Sequence, residues 1–473
     1  MLTLADVIEA LTHTRPEMKP FFITEAAIDS RQVIPGGLFV ALAGERVDGH
    51  GFVAQAFQRG ATVALIEHEV DVAATLLDVR AGFPQEDFSR LKVPVCLRVE
   101  NTLAALQQIA AFWRRKLNLR VVGITGSIGK STTKEAVAQV LSQRYTTLKS
   151  AANLNNEIGL PLNILKLTPG HQVAVLEMGF YVPGEIAQLC EIALPQVGVL
   201  TNVGTVHAER AGSQENIALG KGELVEALPP APEGVAILNY DDPWVRPMSR
   251  RTRARVFYYG LSPEAHLWAD EVEGMGLEGI RFRLHYKQEA IYLRVPLIGR
   301  HSVETALRAA AVGLVEGLTW DEIIRGLQES PAQLRLSVVR THSGALLIDD
   351  TYNAAPESTL AALNLLSEMP GRKIAVLGDM LELAQYERAG HEMVGMRAAQ
   401  VADLLVTLGT RAHMIAEAAR KAGMKKARVL EYEQPGEIID WLNQNLVAED
   451  TVLIKGSHGL RMDQIVAALE AYS

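Results

Sequence analysis

The sequence predicts an α/β protein of three domains: a small mixed N-terminal domain, a central domain on a mostly parallel sheet, and a C-terminal Rossmann-like domain. Three observations carry this reading. The chain has 473 residues, and a domain takes about 150. Apolar strand-like runs alternate with helical runs in the middle of the chain and again after residue 332, the rhythm of parallel sheets covered by helices. Between those stretches, Ile280, Phe282, Leu284 and Tyr286 alternate with polar residues, a period-2 pattern with one wet face.

In order along the chain, LFVAL at 38–42 and TVALIE at 62–67 read as strands with a short helix at 52–59 between them. The charged stretch 76–92 reads as loop. A helix over 102–116 leads into a strand at 120–125, a glycine turn, and a helix from about 130. Strands follow at 173–177 and 197–201, with a helix at 184–193. Residues 253–297 read as antiparallel strands appended to this sheet, closed by a helix at 302–316. The last unit has strands at 345–349, 373–377, 403–407 and 451–455, with helices at 356–368, 391–400, 411–422 and 460–471. The domains are therefore placed at 1–99, 100–331 and 332–473, with short hinges near 99 and 332.

Composition narrows the function. Apolar residues make up 48% and charged residues 21%, as in an ordinary folded domain. The net charge of −9 opposes general nucleic-acid binding, which needs a positive field. Any anion must be held locally. No apolar run is long enough to span a bilayer, and Asp6 and Glu9 interrupt the N-terminal run where a secretory signal would be unbroken. Cys96 and Cys190 sit in apolar surroundings and read as buried thiols. A cytoplasmic location is expected.

The strongest local signal is Gly126-Ser127-Ile128-Gly129-Lys130-Ser131-Thr132, directly after a strand and opening a helix. Glycines let successive backbone N–H groups face phosphate oxygens, and the helix N-terminus adds its positive end. Lys130 is placed for the outer phosphates and the Ser131 hydroxyl for Mg²⁺. Ile124 stands where the strict motif has its first glycine. Glu177 ends the strand VAVLE, where a sheet presents ligands, and its carboxylate suits the nucleotide's metal. His207, after VGVLTNVG, reads as either a structural histidine or a ligand. Lys221, in ENIALGKGELVEAL, reads by itself as an exposed surface lysine. The loops after the later strands, at 346–359, 378–383 and 455–459, face one sheet edge and carry polar groups.

Taken in order, these blocks resemble the Mur ligase family of peptidoglycan synthesis. The resemblance rests on Asp29-Ser30-Arg31, Asp48-Gly49-His50, the P-loop, Asn153-Leu154-Asn155-Asn156-Glu157, Glu177-Met178-Gly179, the run Asp349–Pro356, Gly378–Leu383 and Lys455-Gly456-Ser457. It implies a UDP-binding first domain, a P-loop ATPase-like second domain, and a third domain that binds the incoming amine and closes over ATP. It implies amide formation from ATP through an acyl phosphate, with a UDP-N-acetylmuramoyl-tripeptide as acceptor and D-alanyl-D-alanine as amine. Two Mg²⁺ ions are implied, one held by Ser131 and Glu177, the other by His207 and a carbamylated Lys221. Ser30, Arg31, Asn156 and Asn353 match substrate contacts, and Arg335 and Asp350 match residues that close over ATP. No nucleic acid, membrane or second copy of the chain is expected as partner.

The sequence departs from the family pattern in four places. Ser302 and Thr305 replace two asparagines expected near the adenine, Ser337 replaces an acid, and Ala355 replaces an asparagine. Two other readings are weighed: the family ligase that adds the third amino acid, whose Asp-Asn-Pro-Arg-like run is missing here, and a non-catalytic nucleotide binder of the same fold. A folylpolyglutamate synthase fits the Asp29-Ser30-Arg31 block less well.

Overall fold

Three sheets, of five, nine and six strands, follow one another along the chain. The structure, a computed structural model, describes residues 1–44, 47–84, 87–151, 154–329 and 337–470. The expected hinge near 332 and Arg335 lie outside the described residues.

The first sheet is wholly parallel, in the order Ala26–Ala27, Leu38–Val40, Val63–Ile66, Val95–Arg98, Thr75–Asp78. The last of these corrects the sequence reading of 76–92 as loop. Thr75–Asp78 is an edge strand with only Leu77 fully buried, and a wet edge reads as loop because charge is what protects an unpaired edge. Helix Leu4–Thr12 opens the chain through a capping box between Thr3 and Asp6.

In the second sheet, the parallel strands lie in the order Val235–Asn239, Val197–Leu200, Arg120–Thr125, Val173–Glu177, Thr147–Lys149. The chain starts at Arg120–Thr125, runs to the Thr147–Lys149 edge, returns to Val173–Glu177, and then crosses to the far side. Arg120–Thr125 thus sits at a switch point, where the loops on its two flanks diverge and leave a crevice. One face shares a core with the first sheet, through Leu106, Leu176 and Leu38. The other packs helices Lys130–Leu141 and Val303–Val315 through Val137, Leu141, Leu307 and Ala310.

The appendage at 253–297 differs from its expected form. Strand Arg255–Gly260 pairs parallel with Val235–Asn239 and with the start of Leu267–Gly274. Only Leu267–Gly274, Ile280–Tyr286 and Glu289–Val295 form antiparallel pairs. Alternation reports which face is wet, whereas direction depends on the connection, and the turn Arg246–Arg251 carries the chain back for a parallel entry.

The third sheet runs Ser337–Arg340, Leu346–Asp350, Asp450–Lys455, Arg372–Gly378, Leu404–Leu408, Val429–Tyr432, with only the first strand antiparallel. Separate cores cover its two faces, one around Leu363, Leu377 and Ile415, the other around Ile374, Ile438 and Ile465, so it is doubly wound. Strand Val429–Tyr432 and helix Pro435–Asn445 are additions to the elements read from sequence. Both cysteines are buried and free, as expected.

Candidate active site

The site forms where strand Arg120–Thr125 passes into helix Lys130–Leu141. Gly126 has φ of +146°, and a Cβ there would lie 1.8 Å from the Thr201 hydroxyl, so only glycine fits between the loop and the neighbouring strand end. Gly129, with φ of +80°, begins the helix. The loop is braced from the Val197–Leu200 side. Ser127 and Ile128 donate their N–H groups to the Asn202 carbonyl at 2.9 Å and the Asn202 Oδ1 at 3.0 Å. The Thr201 hydroxyl donates to the Ile128 carbonyl at 2.6 Å, and the Gly204 N–H donates to Ser127 Oγ at 2.8 Å. The bracing role of Thr201 and Asn202 depends on which strand neighbours the loop.

Two lysines converge on this loop. Lys130 Nζ donates to the carbonyls of Gly126 at 2.8 Å and Ser127 at 3.2 Å. Lys221 Nζ reaches the same Gly126 carbonyl at 3.0 Å and lies 4.7 Å from the centre of the Phe180 ring. Lys221 is 1% exposed, which overturns its local reading as a surface lysine. Helix Gln214–Glu226 has Ile217, Gly220, Lys221 and Leu224 on its inner side. Burial, aided by the charge of Lys130, pushes the Lys221 ammonium well below the ordinary lysine range.

On the other flank, Ser131 Oγ donates to Glu177 Oε2 at 2.8 Å and Asn155 Nδ2 donates to Glu177 Oε1 at 2.9 Å. Glu177 and Ser131 are buried, and Lys134 Nζ lies 3.9 Å from the same carboxylate. A hydroxyl and a carboxylate side by side form a hard oxygen pair suited to Mg²⁺. His207 projects from the loop after Val197–Leu200, and its Nδ1 is 2.7 Å from Glu382 Oε2 of the third sheet's edge. Burial pulls the His207 imidazole down to about 4; Glu382 opposes that shift, while Lys130 and Lys221 add to it. Asn155 and Glu382 fall within the family blocks without any local sign of these contacts, and nothing local distinguishes Lys134 from a surface charge.

The other expected site residues lie at two further places. At the third sheet's carboxyl edge, Asp350 and Lys455 end adjacent strands and pair at 2.7 Å; Lys455 Nζ also donates to the Asn353 carbonyl at 2.8 Å. At the first sheet, Ser30 is buried and donates to Gln55 Oε1 at 2.5 Å. The Arg31 side chain is 78% exposed and pairs with Asp29 at 2.7 Å. Asn156 accepts from the Gly159 N–H at 2.9 Å, a local cap at the start of helix Gly159–Leu165.

A phosphate loop at the switch point of a parallel sheet, met by a side chain from a second doubly wound sheet, defines a P-loop nucleotide-handling protein. The chain belongs to the Mur ligase family. Family models match residues 23–114 (Mur ligase family, catalytic domain), 124–313 (Mur ligase middle domain) and 334–458 (Mur ligase, glutamate ligase domain). It is 34% identical over 471 residues to the UDP-N-acetylmuramoyl-tripeptide–D-alanyl-D-alanine ligase of Bacillus subtilis, covering 98% of this chain and 97% of that one. Among solved structures, MurF from Acinetobacter baumannii superposes with a TM-score of 0.82 at 30% identity, covering 98% of this chain and 97% of that one. MurF from Thermotoga maritima in complex with ADP gives 0.79 at 28%, covering 95% and 98%.

Proposed function

We propose that this chain is an ATP-dependent ligase joining D-alanyl-D-alanine to UDP-N-acetylmuramoyl-tripeptide, a cytoplasmic step of peptidoglycan synthesis. The observation that carries the reading is the end-to-end similarity to ligases of that name, third sheet included. In this reading residues 1–99 bind the UDP end of the acceptor, 100–331 bind ATP, and 332–473 bind the dipeptide and close over ATP. The acceptor carboxylate takes the γ-phosphoryl group of ATP, and the dipeptide amine then displaces phosphate from the acyl phosphate. Such a reaction asks for positioning and charge neutralisation more than for a protein nucleophile.

The residues fit a bound polyphosphate and its metals. Lys130 and Lys221 crowd one carbonyl with no acid paired to Lys221 among the described residues, an arrangement that favours an incoming anion. Backbone N–H groups from residues 129–132 and the Lys130 ammonium would cradle the phosphates. Ser131 and Glu177 would hold one Mg²⁺, and His207 and Lys221 the second. Mg²⁺ supplies charge neutralisation of the transferring phosphoryl group. Lys221 suits the second site only as an anion. Its depressed pKa favours the neutral amine, which adds to CO₂ and releases a proton to give a carbamate. Ser30, Arg31, Asn156 and Asn353 are assigned to substrate, and Asp350 and Arg335 to ATP.

A phosphate-release assay tests the reading. Release should require ATP, UDP-muramoyl-tripeptide and D-alanyl-D-alanine together. If a single amino acid reacts with UDP-muramoyl-dipeptide and D-alanyl-D-alanine fails with the tripeptide, the assignment is wrong.

A further inference from the structure

Arg308 stands on helix Val303–Val315, one turn beyond Thr305, and is 3% exposed. A Cβ on Gly129, the residue preceding Lys130, would lie 3.4 Å from Arg308 Nη2. The guanidinium is therefore pressed against the phosphate loop from the helix layer, on the face away from Lys221's helix. Nη2 donates to Thr305 Oγ1 at 3.0 Å and Nη1 to the Tyr259 hydroxyl at 3.4 Å. Glu304 Oε2 lies 3.6 Å from Nη1, and Nε has no hydrogen-bond partner.

A guanidinium brings five N–H donors and a permanent charge. Here two neutral hydroxyls and one carboxylate beyond good hydrogen-bond distance meet them. An ion left so incompletely matched in a buried position is costly relative to a packed apolar side chain. The arrangement nevertheless holds Arg308 firmly. Tyr259 Oη donates to the Leu200 and Thr201 carbonyls at 2.9 and 3.0 Å, and Thr201 in turn grips the loop at Ile128. Thr305, which replaces an asparagine of the family pattern, turns its hydroxyl to Arg308 and not outward. The side chain is held in place while its donors stay unsaturated, next to the turn where backbone N–H groups begin to face a phosphate.

We propose that Arg308 binds the polyphosphate of the nucleotide, as a planar donor set added to Lys130. Phosphate oxygens accept paired N–H donors from a guanidinium, which would satisfy the idle Nε and offset the buried charge. This rests on the nucleotide-binding reading above. It goes beyond it by giving a function to a residue outside the loop and outside the family blocks.

Calorimetric titration of the full chain with ADP and with adenosine, each with Mg²⁺, tests the proposal on wild type, R308K and R308M. R308M should lose about tenfold or more in ADP affinity while adenosine affinity changes less than about twofold. R308K should recover only part of the loss, the share owed to charge and not to paired donors. Equal ADP affinity in wild type and R308M overturns the proposal, and so does an equal loss for ADP and adenosine, which marks a packing role. Wild-type protein that binds no ADP overturns the nucleotide reading itself. Should R308M not fold, the Arg308 Nε–H resonance of the wild type, assigned by its disappearance in R308K, gives the same decision. It should shift with ADP and not with adenosine, and a signal unmoved by ADP overturns the proposal.

Discussion

The carboxyl edges of the second and third sheets each bury a lysine, and they treat it in opposite ways. Lys455, 3% exposed, pairs with Asp350 at 2.7 Å and donates to the Asn353 carbonyl. Lys221, 1% exposed, has a backbone carbonyl at 3.0 Å and an aromatic face, and shares that carbonyl with a second lysine. The third edge supplies its own counter-charge. The second gives Lys221 no acid among the described residues, a setting in which a buried lysine gives up its proton. One edge is shaped in advance, and the other is completed by what it binds.

The largest expected effect breaks the second edge. Lys130→Ala should lower phosphate release at least about a hundredfold, with an unchanged thermal melt; activity near wild type would remove the P-loop from the reaction. Next, Lys221→Ala should be nearly inactive, and acetate or formate in solution should restore part of the rate by occupying the vacated space. Lys221→Arg should be neither active nor rescued, because guanidinium keeps its charge. Full activity in the alanine variant would make Lys221 a packing residue.

Stability separates the two edges more finely. Asp350→Asn leaves the Lys455 ammonium without its carboxylate and should cost about 3 kcal/mol in denaturant unfolding. Lys221→Met replaces a buried amine that has only a backbone carbonyl as polar partner among the described residues and should cost nothing or stabilise by up to about 1 kcal/mol, although it abolishes turnover. Losses of similar size in both variants would erase the contrast.

A salt-bridged carboxylate supplies a reference remote from either edge. Burial raises the Asp6 carboxyl, but hydrogen bonds from Thr3, Arg15 and Lys116 outweigh it and hold the pKa at about 2, below the ordinary 3.8. The folded state therefore favours the charged form, and its contribution is complete above about 3.8 and fades as pH falls toward 2. Asp6→Asn should cost about 2 kcal/mol at neutral pH, with the gap to wild type closing by pH 2. A gap independent of pH would reduce Asp6 to its capping role.

The contrast also explains what the sequence makes legible. The phosphate loop is a local object: strand, glycines and helix start lie within fifteen residues, so spacing alone exposes it. Lys221 is legible only through the family pattern, because a lysine between two glycines in a helix gives no sign of the Phe180 ring that covers it. Asn155, Asn202 and Glu382 matter because of which strand or sheet stands beside them, and no window along the chain contains that information. The direction of Arg255–Gly260 is hidden for the same reason, since alternation marks a face and leaves pairing open. Arg308 lies in an alanine-rich helix, where nothing local marks it.

The contact between His207 and Glu382 has a further consequence. A carboxylate 2.7 Å from Nδ1 fixes the neutral imidazole as the tautomer with its proton on Nδ1, and so leaves a lone pair on Nε2. A neutral ring is also what burial favours, with the pKa held at about 4. The third sheet thus chooses which nitrogen of a second-sheet histidine is free to coordinate. If that sheet withdraws by one side-chain length, the ring can exchange tautomers. The contact between the two sheets and the tautomer of the His207 imidazole are then a single variable.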